Sequence, residues 1–326
     1  MVQSVGKNIY SIPVPLPKSP LKVLNAYVIK AEDKTLLIDT GFNHPKCLEA
    51  LLEGLEALDI DIEKMEVLIT HLHVDHSGLA AYFADRGCKV YCSSVDAHFI
   101  NSAALDQGLM DPDYLERAAG MDKGEYGWDQ LVISRFKPSN EIPFIILDPG
   151  DTYQIGDYDF QVVDLIGHTP GHIGLYDPAA GIMFSGDTVL DPISPNITYW
   201  NDHYPDILGD YLETLQRITN LPVSTLYAAH RDIIHRPQAR AREIMDHHQE
   251  RLEEILGLMA DGQEHTIKSL AGRLSWRVKM TSWDDFPAHQ KWFAAGETWA
   301  HLAHLVAKGK VTERLVQGVL HYRLSD

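Results

Sequence analysis

Short apolar runs alternate with helix-length stretches along the first part of this chain. Asn8–Pro15, Asn25–Lys30 and Lys34–Asp39 read as strands, the last two joined by a turn at Glu32-Asp33-Lys34. The period then changes. Leu48, Leu51, Leu52, Leu55 and Leu58 fall on one stripe, which predicts a helix over Pro45–Leu58. Val67–Thr70 reads as a strand, Ser77–Arg86 as a helix closed by Gly87, and Lys89–Cys92 as a further strand. From Asp96 to about Glu141 the alternation lapses into a polar, acidic stretch with a helical pattern near Pro112–Gly120. Strands resume at Phe144–Leu147, Thr152–Ile155, Asp159–Ile166, Ile173–Tyr176 and Ile182–Ser185. This alternation predicts an α/β fold class.

The pattern changes again after residue 237. Pro237–Met259 is one long helical stretch, with Ile244, His248, Leu252, Ile255 and Leu256 recurring at helix spacing and Ala260-Asp261-Gly262 stopping it. Thr266–Leu274, Phe286–Phe293 and Thr298–Ala307 read as helices. Gly309-Lys310-Val311 and Val319–Leu324 read as short strands. Three helices ending in a hairpin resemble a winged helix. His248 lies on the apolar stripe and reads as a core histidine, whereas Glu297, His301 and His304 read as one solvated helix face.

The densest chemistry follows the run Val67-Leu68-Ile69-Thr70. His71-Leu72-His73-Val74-Asp75-His76 places four potential ligands within six positions, and imidazole and carboxylate are the usual ligands of borderline divalent metals. His71 and His73 lie two apart, so an extended backbone points both the same way. Asp75 and His76 fall where a strand gives way to a helix and can face a second point nearby. Three later islands follow the same rule: Gly167-His168-Thr169-Pro170-Gly171-His172, Ser185-Gly186-Asp187-Thr188 and Ala228-Ala229-His230. Each puts His or Asp just past a short apolar strand, where chemistry gathers in layered α/β folds.

In this order the motifs resemble those of the metallo-β-lactamase superfamily of hydrolases, above all its dinuclear branch that includes glyoxalase II. The resemblance runs from about Asn8 to His230. It implies a four-layer αββα metallo-β-lactamase sandwich over residues 1–237; the stretch at about 96–141 breaks the family's compact pattern and reads as a helical insertion, and residues 238–326 read as a helical, winged-helix-like domain of a kind that also extends one group of these hydrolases. It implies that His71, His73 and His168 hold one divalent metal ion, that Asp75, His76 and His230 hold a second, and that Asp187 bridges them. Zinc is the first expectation, and the same donors accept iron or manganese. Asp39, in the family's early D-T-G, is expected behind the ligands, and His172 is left outside the ligand set. Asp75 is expected to orient the attacking hydroxide as well as to ligate, which makes it the expected catalytic residue.

Five neutral imidazoles and two carboxylates facing two dications and one hydroxide leave about one positive charge, which a developing oxyanion favours. A metal lowers the pKa of bound water from 15.7 to roughly 7, so no serine or cysteine nucleophile is needed. The expected function is a dinuclear metal-dependent hydrolase whose bridging hydroxide attacks the carbonyl of a small acyl substrate, a thioester, ester or lactone. A metal-dependent phosphodiesterase or ribonuclease is the alternative, and a non-catalytic metal-binding protein the third reading. β-Lactamase activity is not expected, because no export signal is read and His76 follows the pattern of the dinuclear hydrolases.

Charge narrows the partners. Residues 238–326 carry 12 Lys and Arg against 12 Asp and Glu, so the whole net charge of −18 falls on residues 1–237. A polyanion would approach the metal-bearing part against that field, and a nucleic-acid-reading tail would want a basic face. Lys268, Arg273, Arg277 and Lys279 do cluster, but Trp276 and Trp283 beside them read as packing residues. Nucleic acid is therefore not expected as a partner; the tail is expected to serve packing or a homodimer contact. No apolar run approaches the ~20 residues of a membrane span. Three cysteines, Cys47, Cys88 and Cys92, are poorly spaced for a disulfide framework, which with the missing signal peptide points to the cytoplasm. The acidic segment Asp96–Glu141 is expected either to cover the site as a lid, offering Tyr114, Met121, Tyr126 or Trp128 to substrate, or to be an insertion without chemical consequence.

Overall fold

The computed structural model describes residues 1–107, 111–125, 135–277 and 282–325. They fall into two compact units. The first comprises Met1–Leu109, Val132–Pro195 and Gln216–Ala241; the second comprises Met110–Leu131, Asn196–Leu215 and Arg242–Asp326. No single cut along the sequence separates them.

The first unit holds two sheets. One has seven strands in sequence order: β1 (Gln3–Gly6), β2 (Ile9–Pro15), β3 (Val23–Lys30), β4 (Thr35–Ile38), β5 (Met65–Leu68), β6 (Lys89–Cys92) and β7 (Ile145–Ile146). Pairing is antiparallel through β4 and parallel from β4 to β7. The other sheet contains β8 (Thr152–Ile155), β9 (Tyr158–Asp164), β10 (Ile173–Asp177), β11 (Ile182–Gly186) and β12 (Thr225–Ala228), in the order β12-β11-β10-β9-β8. Strands β3 to β5 are apolar almost throughout because both of their faces are covered. Leu36, Ile38 and Leu68 turn to one side and pack with Phe160, Val162, Leu175 and Phe184 of the second sheet. Leu37, Val67 and Ile69 turn to the other side. There they meet Cys47, Leu51 and Leu55 of α1 (Pro45–Ala57), Phe83 of α3 (Ala80–Ala84), and Ala97 and Ile100 of α4 (Ser94–Ala104).

Local chemistry sets the helix ends. Pro45 occupies the first turn of α1, where its missing N–H costs nothing. The helix expected over Ser77–Arg86 forms as two short turns, α2 (Val74–Ser77) and α3. Gly78 lies between them because a Cβ there would sit 2.4 Å from the Asn43 amide nitrogen. Ser93 caps α4 by accepting from the Asp96 amide at 3.2 Å.

The break read from Asp96 onward needs correction at both ends. Asp96 to Ala104 is core helix, and Phe136 and Ile142 also pack into the core of the first unit. Ala97, Phe99 and Ile100 give this helix an apolar side, and its burial depends on the partner elements. Tyr126 and Trp128 lie outside the described residues. Tyr114 is exposed and Met121 is buried within the second unit.

That unit contains α5 (Pro112–Ala119), α8 (Ile267–Ala271), α9 (Ala288–Ala307) and a hairpin of β13 (Val311–Val316) and β14 (Val319–Leu324). α6 (Ile207–Asn220) and α7 (Pro237–Leu258) supply residues to both units. Gln317 and Gly318, with φ of +51° and +84°, form the tight turn that suits a two-residue hairpin. The two helices expected over 286–307 are one, α9, which runs through Gly296.

The solvated face read on this helix is also corrected. His301 is fully buried, with its Nδ1 at 2.7 Å from the Glu297 carbonyl oxygen and its Nε2 at 3.1 Å from His248 Nδ1. His304 is buried against Asp206 at 2.8 Å, and Asn196 Nδ2 donates to Glu297 at 3.2 Å. The spacing identified the shared face correctly, but burial of that face depends on segments distant in sequence. His248 is the core histidine expected from its stripe. Among the described residues no helix is long and apolar enough to cross a membrane.

Candidate metal centre

Five strand ends of the first unit deliver the candidate residues. β4 leads to Asp39, β5 to His71 through His76, β9 to His168, β11 to Asp187 and β12 to His230. Side chains that are scattered over 192 positions, from Asp39 to His230, thus meet where strands stop and backbone is free to turn.

All seven expected ligands come together. The candidate ligating atoms of His71, His73 and His168 lie within 4.8 Å of one another, as do those of Asp75, His76 and His230. A third grouping, His71 with His76 and Asp187, lies between these trios. The Asp187 carboxylate stands 3.6 Å from both His76 Nε2 and His168 Nε2, and 3.5 Å from His230 Nε2. Asp75 reaches His230 Nε2 at 3.5 Å. His172 stays outside these groupings: it stacks on His71 at 4.6 Å, and its Nε2 accepts from the Asp187 amide at 3.1 Å. Gly186 makes that stacking possible, since a Cβ there would lie 2.6 Å from the His172 ring.

A supporting layer fixes ring orientations. Asp39 lies 2.8 Å from His76 Nδ1 and takes both the amide and the hydroxyl of Thr70. Thr70 Oγ1 in turn lies 3.1 Å from His71 Nδ1. His230 Nδ1 lies 2.8 Å from the Val23 carbonyl oxygen, which accepts its proton. With Nδ1 engaged in each of these three residues, Nε2 is left to face the cluster.

The electrostatics ask for a cation. Burial holds His71 well below the ordinary imidazole value, with His76 as the next cause, and brings His73 down to about 3. Burial would do the same to His76, but Asp39, Asp187 and Asp75 outweigh it and hold that ring well above its ordinary value. His230 is raised against burial by Asp187 and Asp75. Burial alone would raise Asp75; His76 and His230 reverse that and bring it to about 2. Asp187 is likewise held well below the carboxylate range by His230 and His76.

The donor set fits metal on a second ground. His76 Nε2, His230 Nε2 and Asp187 Oδ1 are buried without a hydrogen-bond partner among the described residues. A buried polar atom without a hydrogen bond costs about 1–3 kcal/mol, and these three, the Asp187 carboxylate held only at ion-pair distances of 3.5–3.6 Å from the two imidazoles, would be satisfied together by a bound cation.

Asp96 was not recognised from sequence as part of this region. Fully buried, it accepts from the Leu72 amide at 2.8 Å, the Thr169 hydroxyl at 2.7 Å and the Gly171 amide at 2.9 Å. Burial pushes it up to about 7 against these donors. The available signal was Ser93-Ser94-Val95-Asp96, a helix-capping spacing that places an acid in the first turn.

A sequence profile of the metallo-β-lactamase superfamily matches residues 21–230. A probable metallo-hydrolase of Bacillus subtilis, YqjP, is 25% identical over 94% of each chain. The human acyl-coenzyme A thioesterase MBLAC2 is 29% identical, over 60% of this chain and 67% of its own. Among solved structures, a metallo-β-lactamase family protein from Thermus thermophilus superposes with a TM-score of 0.78 at 26% identity, covering 98% of this chain and 99% of that one. A β-lactamase domain protein from Burkholderia ambifaria shares the fold, with a TM-score of 0.81.

Proposed function

We propose that this chain, which belongs to the metallo-β-lactamase superfamily of hydrolases, holds two divalent metal ions and cleaves ester-type bonds of small acyl compounds, thioesters first among them. One observation carries the two-ion reading: the Asp187 carboxylate lies within 3.6 Å of imidazoles from both trios. His71, His73 and His168 would hold one ion; Asp75, His76 and His230 would hold the other, with Asp187 between. Zinc suits a set of imidazoles and carboxylates.

When bound, such ions supply Lewis acidity and make water acidic enough to act as a nucleophile near neutral pH. The chain's own residues do the rest. Asp75 is the more accessible of the two carboxylates, its side chain 14% exposed against 6% for Asp187. It is therefore the group suited to orient the reacting water as well as to ligate. Asp39 and His172 keep His76 and His71 in register. The buried walls limit water and strengthen each charge interaction.

The acyl preference draws on the thioesterase relative and on charge. The net −18 of residues 1–237 disfavours polyanions. Lys268, a member of the tail's basic cluster, is engaged by Glu125 at 2.8 Å and Asp122 at 3.1 Å. The test is kcat/KM of metal-replete protein across thioesters, esters, lactones, phosphodiesters and RNA. An acyl substrate should reach about 10⁴ M⁻¹s⁻¹ with little salt dependence. Phosphodiester or RNA cleavage that falls steeply with added salt, the mark of phosphate contacts, would overturn the acyl reading and favour the nuclease alternative.

A further inference from the structure

We propose that Asp96 is the positioning residue for one trio alone: it clamps the two loops that carry His71, His73 and His168 into a single geometry. The inference rests on the metal-site reading above.

The clamp is specific in its attachments. One oxygen of Asp96 takes the Leu72 amide, the backbone group between His71 and His73. The same oxygen takes the hydroxyl of Thr169, the residue after His168. The other oxygen takes the Gly171 amide in that second loop. A single carboxylate thus joins two loops nearly 100 positions apart, with three donors at 2.7–2.9 Å.

The support beneath it is equally close. Ser93 caps the helix that presents Asp96 and donates its hydroxyl to the Gly171 carbonyl at 2.6 Å. Gly171 must be glycine, because a Cβ would lie 2.5 Å from Asp96 Oδ1 and 2.7 Å from Ser93 Oγ. Among the described residues, Asp96 makes its hydrogen bonds to the Leu72, Thr169 and Gly171 groups and none to the side chains of the other trio. That trio is anchored elsewhere, His76 on Asp39 and His230 on the Val23 carbonyl. Asp39 also reaches His71 through the Thr70 hydroxyl, whereas the bonds of Asp96 run to the two loops of the first trio, so loss of Asp96 should be felt on that side.

Asn matches Asp in size but replaces an acceptor oxygen with a donor NH₂, so at least one of the three donors must face another donor. Residues of this kind behind a metal site change affinity by about 10–100-fold.

The experiment measures zinc affinity by chelator competition on the full chain in two backgrounds. His76→Ala leaves the first trio intact; His168→Ala leaves the second. Adding Asp96→Asn should weaken zinc about 10–100-fold in the His76→Ala protein and less than twofold in the His168→Ala protein. Equal weakening in both backgrounds, or none in the first, would overturn the clamp while the metal reading stands. A wild type that takes up no zinc overturns both. If Asp96→Asn does not fold, Thr169→Val removes one of the three bonds at nearly constant shape, and its smaller loss must again be confined to the His76→Ala background.

Discussion

Asp39 and His76 are held 2.8 Å apart, and the same carboxylate takes the Thr70 amide at 2.9 Å. Asp39 does this from a left-handed backbone, φ +62°, a conformation that Asp and Asn tolerate better than most side chains. It holds one imidazole directly and another, His71, through the Thr70 hydroxyl. Asp39→Asn should therefore keep the fold and lower metal affinity about 10–100-fold, whereas Asp39→Val adds backbone strain of about 1–3 kcal/mol. Chelator competition together with thermal unfolding separates the two effects. An Asn variant with wild-type affinity would remove Asp39 from the centre.

Metal content follows from the central carboxylate. Elemental analysis of metal-replete protein should give two ions per chain. Asp187→Ala should reduce occupancy of both positions, while His76→Ala should chiefly empty one. A single ion in wild type, or an Asp187→Ala variant that retains both, contradicts the two-ion proposal.

Two helical glycines should respond to alanine with opposite signs. Gly257 in α7 faces open space, so Gly257→Ala should stabilise by about 0.5–1 kcal/mol. At Gly296 in α9 a Cβ would meet Thr198 Oγ1 at 2.1 Å and Thr198 Cβ at 3.1 Å. Threonine is stiff at χ1, and the Tyr199 amide is bonded to the Gly296 carbonyl at 3.2 Å, so the neighbour cannot withdraw cheaply. Overpacking should outweigh the helix gain and cost about 1–3 kcal/mol. Denaturant unfolding of the two variants decides it; stabilisation by both would mean that Thr198 yields freely.

Acid stability should depend on Glu125. Burial would raise this carboxyl, but Lys268, the Asp122 amide, Trp283 and Lys291 reverse that and bring it to about 2, from an ordinary 4.5. A depressed carboxyl contributes stability above its unfolded value and loses it as pH falls through the folded one. Glu125→Gln should thus be less stable than wild type at pH 7, and the gap should close between about pH 4.5 and 2. A gap that does not change with pH would assign the loss to packing.

Much of the centre was legible because strand ends are local features. His71, His73, Asp75 and His76 are neighbours in sequence, and His168, Asp187 and His230 each follow an apolar run short enough to read as a strand. The α/β alternation was legible for the same reason, since period 2 and period 3.6 are properties of single segments. Whether a polar residue is buried depends instead on elements far away in the chain. Asp96 lay in a stretch that read as an acidic insertion, yet the Leu72, Thr169 and Gly171 donors make its burial tolerable. His301 and His304 read as solvated, yet His248 and Asp206, some 50 and 100 positions away, cover and bond them. The gap read between Phe293 and Thr298 closes into one helix, in which Gly296 packs against Thr198. Sequence by itself determined which residues could bind a metal and which segments could be strands. Tertiary structure alone decided which carboxylates and imidazoles leave water, because desolvation and its compensating hydrogen bonds exist only once distant segments meet.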